Sequence, residues 1–513
     1  MNRKFFKTLS TLEYLKLNRF EKFVYNLVMF FARIPKMILG LFIKIWNFIK
    51  ACGLFVANEV KDFFMTFIKG TWVTRVSYLV MGFGNIWRLQ VIKGLFFLAF
   101  EVIFFVYMKT TGFYWLGKYK TLGDVGMHRE YNEIYDSYID VPGDDSFKVL
   151  LYGTLTIVFI LAFLYTWRQN IKQNRIMDEI VRSGKKVKSM KQEAKDLVDD
   201  QFHKTLLALP VAGITLFTVL PIIFMILVAF TNYDGSHDGY ANLFTWVGWD
   251  NFNELLHSAG TNNNLSYTFG EILSWTLIWA FFATFTNYFL GMIVAIMINK
   301  AGIKFKKLWR GILVLTIAIP QFVSLLYISK LFSKSGIVNG MLINWGLIQQ
   351  PIEFWNNPTS ARILVILINV WIGIPYLMLI ATGILMNIPQ DLYESAKIDG
   401  ANVWQQYTRI TLPYMLFVTG PYLLTSFINN INNFNVIFLL TGETVANPKL
   451  NTSGGSATDV DLLITWLFKI TTGATNNYKL ASVIGIMIFI VVAGLSLIAY
   501  NLMPSTKNEE DFS

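Results

Sequence analysis

Asparagines are concentrated beside aromatic residues in one apolar stretch of the sequence. The segment SFINNINNFN (426–435) holds five of them. At 100° per residue on a helix, Asn429, Asn430 and Asn433 fall within one arc of about 100°. Amides inside a membrane must find hydrogen-bond partners, either on neighbouring helices or on a ligand in a hydrated cavity. We expect a polar cavity here, with helix–helix contacts as the alternative.

Flat rings and prolines accompany these amides in the neighbouring apolar segments. Amides suit the hydroxyls of a neutral polyhydroxylated ligand, and the rings of Trp371, Tyr376 and Phe434 suit its apolar faces. The segments AIPQFVS (318–324) and WIGIPY (371–376) predict kinks at membrane depth. A proline frees a backbone carbonyl, which can then line a cavity.

The elements that position these residues are membrane spans. The chain has 513 residues, is 54% hydrophobic and 16% aromatic, and has a mean hydropathy of +0.46. Several continuous apolar runs approach the roughly 20 residues that cross a bilayer. The sequence therefore predicts an all-α polytopic membrane protein with about eight transmembrane helices. We place them at 91–108, 148–167, 204–231, 272–298, 308–330, 362–385, 413–440 and 479–502.

Lysine and arginine set the expected orientation, because loops rich in them stay in the cytoplasm. They cluster in 168–203 and 299–310, whereas 232–271 contains none and 331–361 only Lys334. The net charge of +11 thus reflects basic cytoplasmic loops and indicates no nucleic-acid partner. We expect both termini in the cytoplasm and four segments outside: 109–147, 232–271, 331–361 and 441–478.

The first ninety residues are apolar but interrupted by charge. Residues 24–56 contain Arg33, Lys36, Lys44 and Lys50, and a central basic residue costs about 2.5–3.5 kcal/mol on insertion scales. Basic amphipathic helices lying in the cytoplasmic interface are the favoured interpretation. An extra hairpin of two spans is the alternative.

Enzymatic chemistry finds little support in the sequence. The one cysteine, Cys52, excludes an internal disulfide, and no Walker A pattern, HExxH motif or Ser/His/Asp arrangement occurs. The six later spans carry almost no internal charge, which argues against an ion relay. Glu101, in the first span, is interpreted as a helix-packing contact. We expect no catalytic residues, metal site or cofactor in this chain.

A glycine-centred segment, LYESAKIDGANVWQQYTRITLP (392–413), lies between two apolar runs. Pro389 and Asp391 favour a helix start, Gly400 a left-handed helix end, and a second helix is expected over 401–410, with Pro413 opening the next span. The two helices suit docking of a soluble partner in the cytoplasm. A plain interfacial connector is the alternative.

The spacing in this segment matches a long signature. Glu394-Ser395-Ala396, three residues, Gly400, nine residues and Ile410-Thr411-Leu412-Pro413 resemble the EAA-x3-G-x9-I-x-LP motif of binding-protein-dependent ABC importer permeases, with Ser395 for the middle Ala. The similarity covers about 204–502 and is greatest to the MalF (maltose/maltodextrin) type. It implies a MetI-like six-helix core after two extra spans. The resemblance also implies a set of positions that couple to the ATPase: Glu394, Ser395, Ala396, Gly400, Ile410, Leu412 and Pro413.

This resemblance implies a division of the chain and a set of partners. A second, MalG-like permease subunit, two ATPase subunits that bind ATP and Mg²⁺, and an extracytoplasmic solute-binding protein would complete the importer. The large periplasmic insertion of the Gram-negative protein is missing, which suggests a single-membrane bacterium with a lipid-anchored binding protein. The implied parts are an interfacial region (1–90), two extra spans with a basic connector (91–203), the permease core with coupling loop 386–412 (204–502) and a cytoplasmic tail (503–513).

The resemblance also implies sugar-contact positions. They map onto Ile317, Gln321, Ile372, Gly373, Tyr376, Asn429, Asn430 and Asn433. Of these, Ile317, Gln321 and Asn429 stand where the maltose permease has Tyr, Ser and Phe. We therefore expect the chain to move an oligosaccharide and leave the particular sugar open. An importer of a different neutral solute stays open. A membrane-bound sugar transferase would need carboxylates or metal ligands at a membrane face, and the sequence shows no such cluster.

Overall fold

The structure, a computed structural model, describes residues 19–237, 243–258, 264–300, 302–442, 444–452, 455–473 and 476–502. The predicted tail 503–513 and the first eighteen residues of the predicted interfacial region lie outside the described residues. The first half of the chain contains α1 (Arg19–Lys69), α2 (Trp72–Val76), α3 (Phe83–Trp87), α4 (Val91–Tyr107), α5 (Phe113–Tyr119), β1 (His128–Asn132), β2 (Ser137–Val141), α6 (Ser146–Arg182), α7 (Met190–Val198), α8 (Phe202–Ile214), α9 (Leu220–Val228) and α10 (Asp250–His257).

The second half is also helical apart from one very short hairpin. Its elements are α11 (Leu265–Asn299), α12 (Lys306–Ala318), α13 (Gln321–Leu331), α14 (Ile337–Asn344), α15 (Pro358–Leu385), α16 (Gln390–Ile398), α17 (Val403–Gln406), α18 (Leu412–Ile431), α19 (Phe434–Leu440), β3 (Asn451–Thr452), β4 (Gly455–Ser456), α20 (Leu463–Thr472) and α21 (Tyr478–Leu502).

Seven helical stretches in the described residues are long and apolar enough to cross a membrane, and one bent pair makes eight. This confirms the predicted all-α polytopic fold, since the two hairpins lie outside the spans. The spans are Val91–Tyr119, Ser146–Arg182, Phe202–Val228, Leu265–Asn299, Pro358–Leu385, Val403–Ile431, Tyr478–Asn501 and the pair Lys306–Ala318 with Gln321–Leu331.

The predicted span 308–330 corresponds to a bent pair of helices. It is broken between α12 and α13, which meet at an angle of 87°. Ile319 has an extended backbone and Pro320 precedes the new helix, with φ −54° and ψ 125°. Proline disfavours the helical conformation in the residue before it, so the chain leaves α12 there. The predicted kink at Pro320 is confirmed, whereas Pro375 lies inside the continuous helix α15.

The N-terminal region forms one unbroken helix. α1 is 51 residues long, so the alternative hairpin of two spans is wrong, and α1 is not among the candidate spans. Its C-terminal part packs against α6, within a compact unit formed by residues 1–114 and 155–210. Arg168 bonds Glu59 at 2.9 Å and Asp62 at 2.7 Å, and Lys172 bonds Glu59 at 2.6 Å.

The first part of the basic connector is packed into this unit. Residues 168–182 continue α6 as a helix that carries buried side chains. Asp178 accepts hydrogen bonds from Thr71 N at 3.0 Å and Thr74 Oγ1 at 2.6 Å, and it pairs with Arg88. Glu101 is buried and accepts from Met81 N at 2.8 Å, in agreement with the packing contact predicted for it.

A second compact unit contains residues 115–154 and 211–513. This division follows the packing of the chain, and the four domains named in the sequence analysis remain a prediction. Its centre is α11, which packs along α15 and α18. In the hydrocarbon of a membrane, the hydrophobic effect does not drive two apolar helices to associate. Close packing and hydrogen bonds must therefore join them. Asn299 Nδ2 bonds Thr382 Oγ1 of α15 at 3.1 Å, and Tyr288 Oη lies 2.8 Å from Thr419 Oγ1 of α18.

Outside the spans, the segment after α9 is fixed to the start of α21. Lys479 Nζ lies 3.0 Å from Asp234 Oδ2, and the rings of Tyr233 and Tyr478 stack with centroids 4.9 Å apart. Partial burial alone would raise the pKa of Asp234. Hydrogen bonds, led by that from Ser236, outweigh this effect and hold the pKa below its usual range. The carboxylate therefore stays ionised and keeps this segment in place at neutral pH.

Candidate functional site: the coupling loop and the amide cluster

The glycine at the centre of the coupling loop adopts the left-handed conformation that its sequence predicts. Gly400 has φ +76°. Ala401 N bonds Ala396 O at 2.8 Å and Gly400 N bonds Lys397 O at 3.0 Å, the two bonds of a Schellman turn at the end of α16. A Cβ on Gly400 would meet nothing within 4 Å. Backbone conformation, rather than crowding, is what requires glycine here.

The second helix of the coupling loop differs from its prediction. Asn402 caps α17 in a capping box with Gln405, both bonds being 2.8 Å. The helix does not end at 410, and Pro413 does not open a separate span, because Val403–Ile431 is one stretch of 29 residues. A π-helical turn at Tyr407–Thr411 precedes Pro413. Pro413 has no N–H to donate, and the wider turn accommodates this gap.

The two helices of the loop brace each other and leave apolar side chains exposed. Tyr393 Oη lies 2.9 Å from Thr411 Oγ1, which ties α16 to the start of the span. Around this brace Ile398 is 86% exposed, Val403 81% and Trp404 70%. Such large apolar groups, exposed together on one turn, are typical of a surface that a protein partner covers.

The predicted coupling residues divide into an outward and an inward set. Glu394 and Ser395 are exposed on α16, and Ala396 is half-buried. Ile410 is half-buried, and Leu412 packs against the apolar core near Met292 and Met415, while Pro413 is exposed. The acidic end of the motif therefore faces solvent, whereas its leucine anchors the loop to the spans.

The amide cluster does not lie on one helix. α18 ends at Ile431, and Asn433 begins α19 by accepting a hydrogen bond from Val436 N at 3.2 Å. The single arc predicted for Asn429, Asn430 and Asn433 is therefore wrong. Asparagine side chains bond nearby backbone groups and so favour helix ends over helix interiors.

Two of the three amides have protein partners. Asn433 Nδ2 lies 3.4 Å from Asn430 Oδ1, and Asn430 Nδ2 donates to Thr284 Oγ1 of α11 at 3.0 Å. The indole of Trp279 bonds Asn430 O at 3.1 Å. Asn429 is exposed and has no hydrogen bond among the described residues. Helix-to-helix bonding is thus present at Asn430, and sugar contact by all three residues stays a prediction.

The other predicted contact residues are spread over three helices. Tyr376 on α15 is 53% exposed, Ile317 at the end of α12 is 44% exposed, and Gln321 at the start of α13 is exposed. Ile317 and Gln321 flank the break at Pro320. Ile372 is half-buried and packs against the core that contains Trp279 and Val436.

Gly373 has a packing role that its sequence did not reveal. A Cβ there would lie 2.4 Å from Asn287 Nδ2 on α11, so a side chain would push the two helices apart. Small residues allow membrane helices to approach closely. Gly373 therefore fixes the spacing of α11 and α15 beside the amide cluster.

Two buried amides near this contact were missed by the sequence analysis. Asn287 Oδ1 and Asn369 Nδ2 are inaccessible to solvent and have no hydrogen-bond partner among the described residues. Each is the single asparagine of its predicted span. Its position inside a span was therefore the one sequence signal that could have identified it as a buried polar group. Together with Thr284, they extend the polar character of the region from α18 onto α11 and α15.

Comparison with known proteins places this arrangement in a family. Residues 287–505 match the family described as binding-protein-dependent transport system inner membrane component. The maltodextrin permease MdxF of Bacillus subtilis is 32% identical over 443 residues, which span 84% of this chain and 95% of the relative. The maltodextrin permease MalC of Streptococcus pneumoniae is 31% identical over 450 residues, 84% of this chain and 96% of the relative.

A third relative transports a different sugar. The galactooligosaccharide permease GanP of Bacillus subtilis is 31% identical over 438 residues, 84% of this chain and 97% of the relative. The coupling motif, the helical core and these similarities over 84% of the chain agree with one another. The predicted family is confirmed: this chain belongs to the binding-protein-dependent ABC importer permeases, which are membrane transport components rather than enzymes.

Proposed function

We propose that the chain is the translocating subunit of an oligosaccharide importer with a maltodextrin-like substrate. The observation that carries this proposal is the set of uncharged polar and aromatic side chains on the neighbouring helices α15 and α18, of which Tyr376 and Asn429 are exposed. Neutral donors, acceptors and flat rings match a sugar. The names of the relatives MdxF and MalC support the same substrate class.

The coupling loop supports a set of soluble and membrane partners. In this proposal a second, MalG-like permease subunit lies beside the chain, and two ATPase subunits contact the loop, where Glu394 meets a basic residue. ATP and Mg²⁺ bind to the ATPase subunits, which carry out hydrolysis. A solute-binding protein, anchored by a lipid on the extracytoplasmic side, delivers the sugar. The exposed apolar side chains of Ile398, Val403 and Trp404 give the docking surface its affinity.

Alternating access follows from the connection between this surface and the amides. The helix from Val403 to Ile431 begins in the coupling loop and ends beside Asn432, so movement of the loop reaches the amides through one element. Rigid-body movement of such elements opens a central cavity first to one side and then to the other. The ATPase subunits supply the free energy for this movement.

A galactooligosaccharide is the second candidate substrate, because GanP is as similar to this chain as the maltodextrin permeases are. Both sugars offer hydroxyls and apolar faces to the same amides and rings. The test is uptake into proteoliposomes that contain the complete transporter and its binding protein, with radiolabelled maltotriose and galactotriose compared. Saturable, ATP-dependent uptake of maltotriose supports the proposal, preference for galactotriose supports the second candidate, and uptake of neither contradicts both.

The proposed topology gives a direct labelling prediction. Single cysteines introduced at Ser236 and at Gln390, on a Cys52→Ala background, are treated with an impermeant maleimide in intact cells. We expect labelling of Ser236→Cys only, because Lys/Arg-rich loops place the coupling loop in the cytoplasm. Both positions are exposed in the structure, so each should react once the membrane is permeabilised. Labelling of Gln390→Cys alone in intact cells would invert the topology.

A further inference from the structure

A cavity of about 1000 Å³ lies in the unit formed by residues 1–114 and 155–210. This volume is at the upper end of the range of about 300–1,000 Å³ for small-molecule sites. Residues of α4, α6 and α7 and the start of α8 line it. Its apolar wall includes Phe96, Phe97 and Phe100, and Phe96 is 72% exposed.

The cavity runs from the membrane surface into the hydrocarbon. Lys93 lies in the first turn of α4 and Lys204 in the first turn of α8. Both helices start membrane spans, and the one span between them runs in the opposite direction, so the two lysines are at the same membrane face. Phe100 follows Lys93 by seven residues, which places it about 10 Å deeper along the helix. A ligand that fills this cavity must therefore be polar at one end and apolar at the other.

The polar end of the cavity is basic. Lys93, Lys188 and Lys204 line it together with one acidic residue, Asp196, which gives the lining a net charge of +2. Lys188 Nζ is bonded to Asp196 Oδ2 at 2.5 Å, whereas Lys204 Nζ donates to the neutral Gln201 Oε1 at 3.3 Å. A basic mouth above an apolar wall complements an anionic head group above acyl chains.

A second polar group in the lining needs a hydrogen-bond donor. Gln173 Oε1 is inaccessible to solvent and has no hydrogen-bond partner among the described residues. A buried acceptor without a donor is unfavourable by about 1–3 kcal/mol relative to a satisfied one. A hydroxyl on the ligand head group would satisfy it, which a choline head group lacks.

We propose that this cavity binds one anionic phospholipid with a hydroxylated head group, of the phosphatidylglycerol type. The phosphate lies near Lys93 and Lys204, a head-group hydroxyl donates to Gln173 Oε1, and the acyl chains lie along the phenylalanines of α4. A soluble phosphate ester shares the head-group chemistry but leaves the apolar wall uncovered. The lipid, rather than the ester, therefore fills the site.

Native mass spectrometry of the full chain in detergent tests this proposal. Phosphatidylglycerol and phosphatidylcholine with identical acyl chains are titrated onto the wild type and onto a Lys93→Gln/Lys204→Gln variant. We expect one tightly retained phosphatidylglycerol on the wild type and about 30-fold weaker binding to the variant. Each basic side chain near an anionic lipid accounts for about fivefold in affinity.

The controls separate this site from general attraction to charge. Lys185→Gln/Lys186→Gln removes the same charge from exposed positions outside the cavity and should leave binding unchanged. Lys93→Arg/Lys204→Arg should retain the lipid, which excludes misfolding as the cause of its loss. Equal retention of phosphatidylcholine, equal loss in the 185/186 variant, or full displacement by free glycerol 3-phosphate would each overturn the proposal.

Discussion

Replacement of Gly400 by valine is expected to reduce sugar uptake by at least about tenfold while the chain remains folded in the membrane. The left-handed conformation costs a residue with a Cβ about 1–2 kcal/mol, and a β-branched side chain is a strong outlier there. The turn relieves this strain by giving up the bonds from Ala401 N and Gly400 N to α16. Both helices of the coupling loop then lose their relative orientation. Uptake and ATPase activity of the reconstituted transporter measure the effect.

Asparagine at the same position is the matched control. It adopts the left-handed conformation more readily than other residues with a side chain. A Cβ at 400 meets no neighbour within 4 Å, so Gly400→Asn adds no clash and should keep most of the uptake. If the valine and asparagine variants transport equally well, the left-handed turn is not needed for coupling. Co-purification of the ATPase subunits shows whether docking or a later step has failed.

Replacement of Asn429 by leucine is expected to weaken uptake without changing stability. Its amide is exposed and makes no hydrogen bond among the described residues, so the folded chain loses no internal contact. A lost hydrogen bond to a neutral sugar is worth about 0.5–1.5 kcal/mol, or about three- to tenfold in apparent affinity. Uptake per purified complex, measured beside the melting temperature, tests this. Unchanged uptake would remove Asn429 from the sugar site.

Asn433 should behave differently, because its side chain caps α19. Asn433→Leu removes the bond from Val436 N, costs about 1 kcal/mol of stability, and should lower both melting temperature and uptake. Asn433→Ser keeps a capping oxygen but loses the amide that reaches Asn430. Full recovery of stability and uptake in the serine variant would show that Asn433 is a cap and not a sugar contact. Recovery of stability alone supports the sugar contact.

The features that the sequence predicts well depend on composition or on local conformation. Continuous apolar runs require spanning helices whatever their neighbours are, and Gly400 after a short helix requires a left-handed turn. Pro320 likewise disrupts its helix through its own ring. In each case the outcome is determined by one residue type, or by the average hydropathy over about twenty residues.

The features that the sequence missed depend on competition between partners distant in the chain. The helix continues through Pro413 because a π-helical turn absorbs the missing N–H. α18 ends at Ile431 although apolar residues continue, because Asn433 bonds the backbone of the next helix. The contact of Gly373 with Asn287 is set by how α11 and α15 approach. None of these three features can be predicted from helical periodicity.

The 29-residue helix that starts at Val403 can act as a lever arm. At 1.5 Å per residue it is about 43 Å long, so a tilt of about 5° around its end in the coupling loop moves its far end through about 4 Å. That displacement exceeds the length of a hydrogen bond. The lever ends where the chain breaks at Asn432, beside the bond from Asn430 to Thr284 on α11. In the proposed transport cycle, a small tilt at the coupling loop is therefore enough to exchange this internal bond for one to a hydroxyl of the sugar.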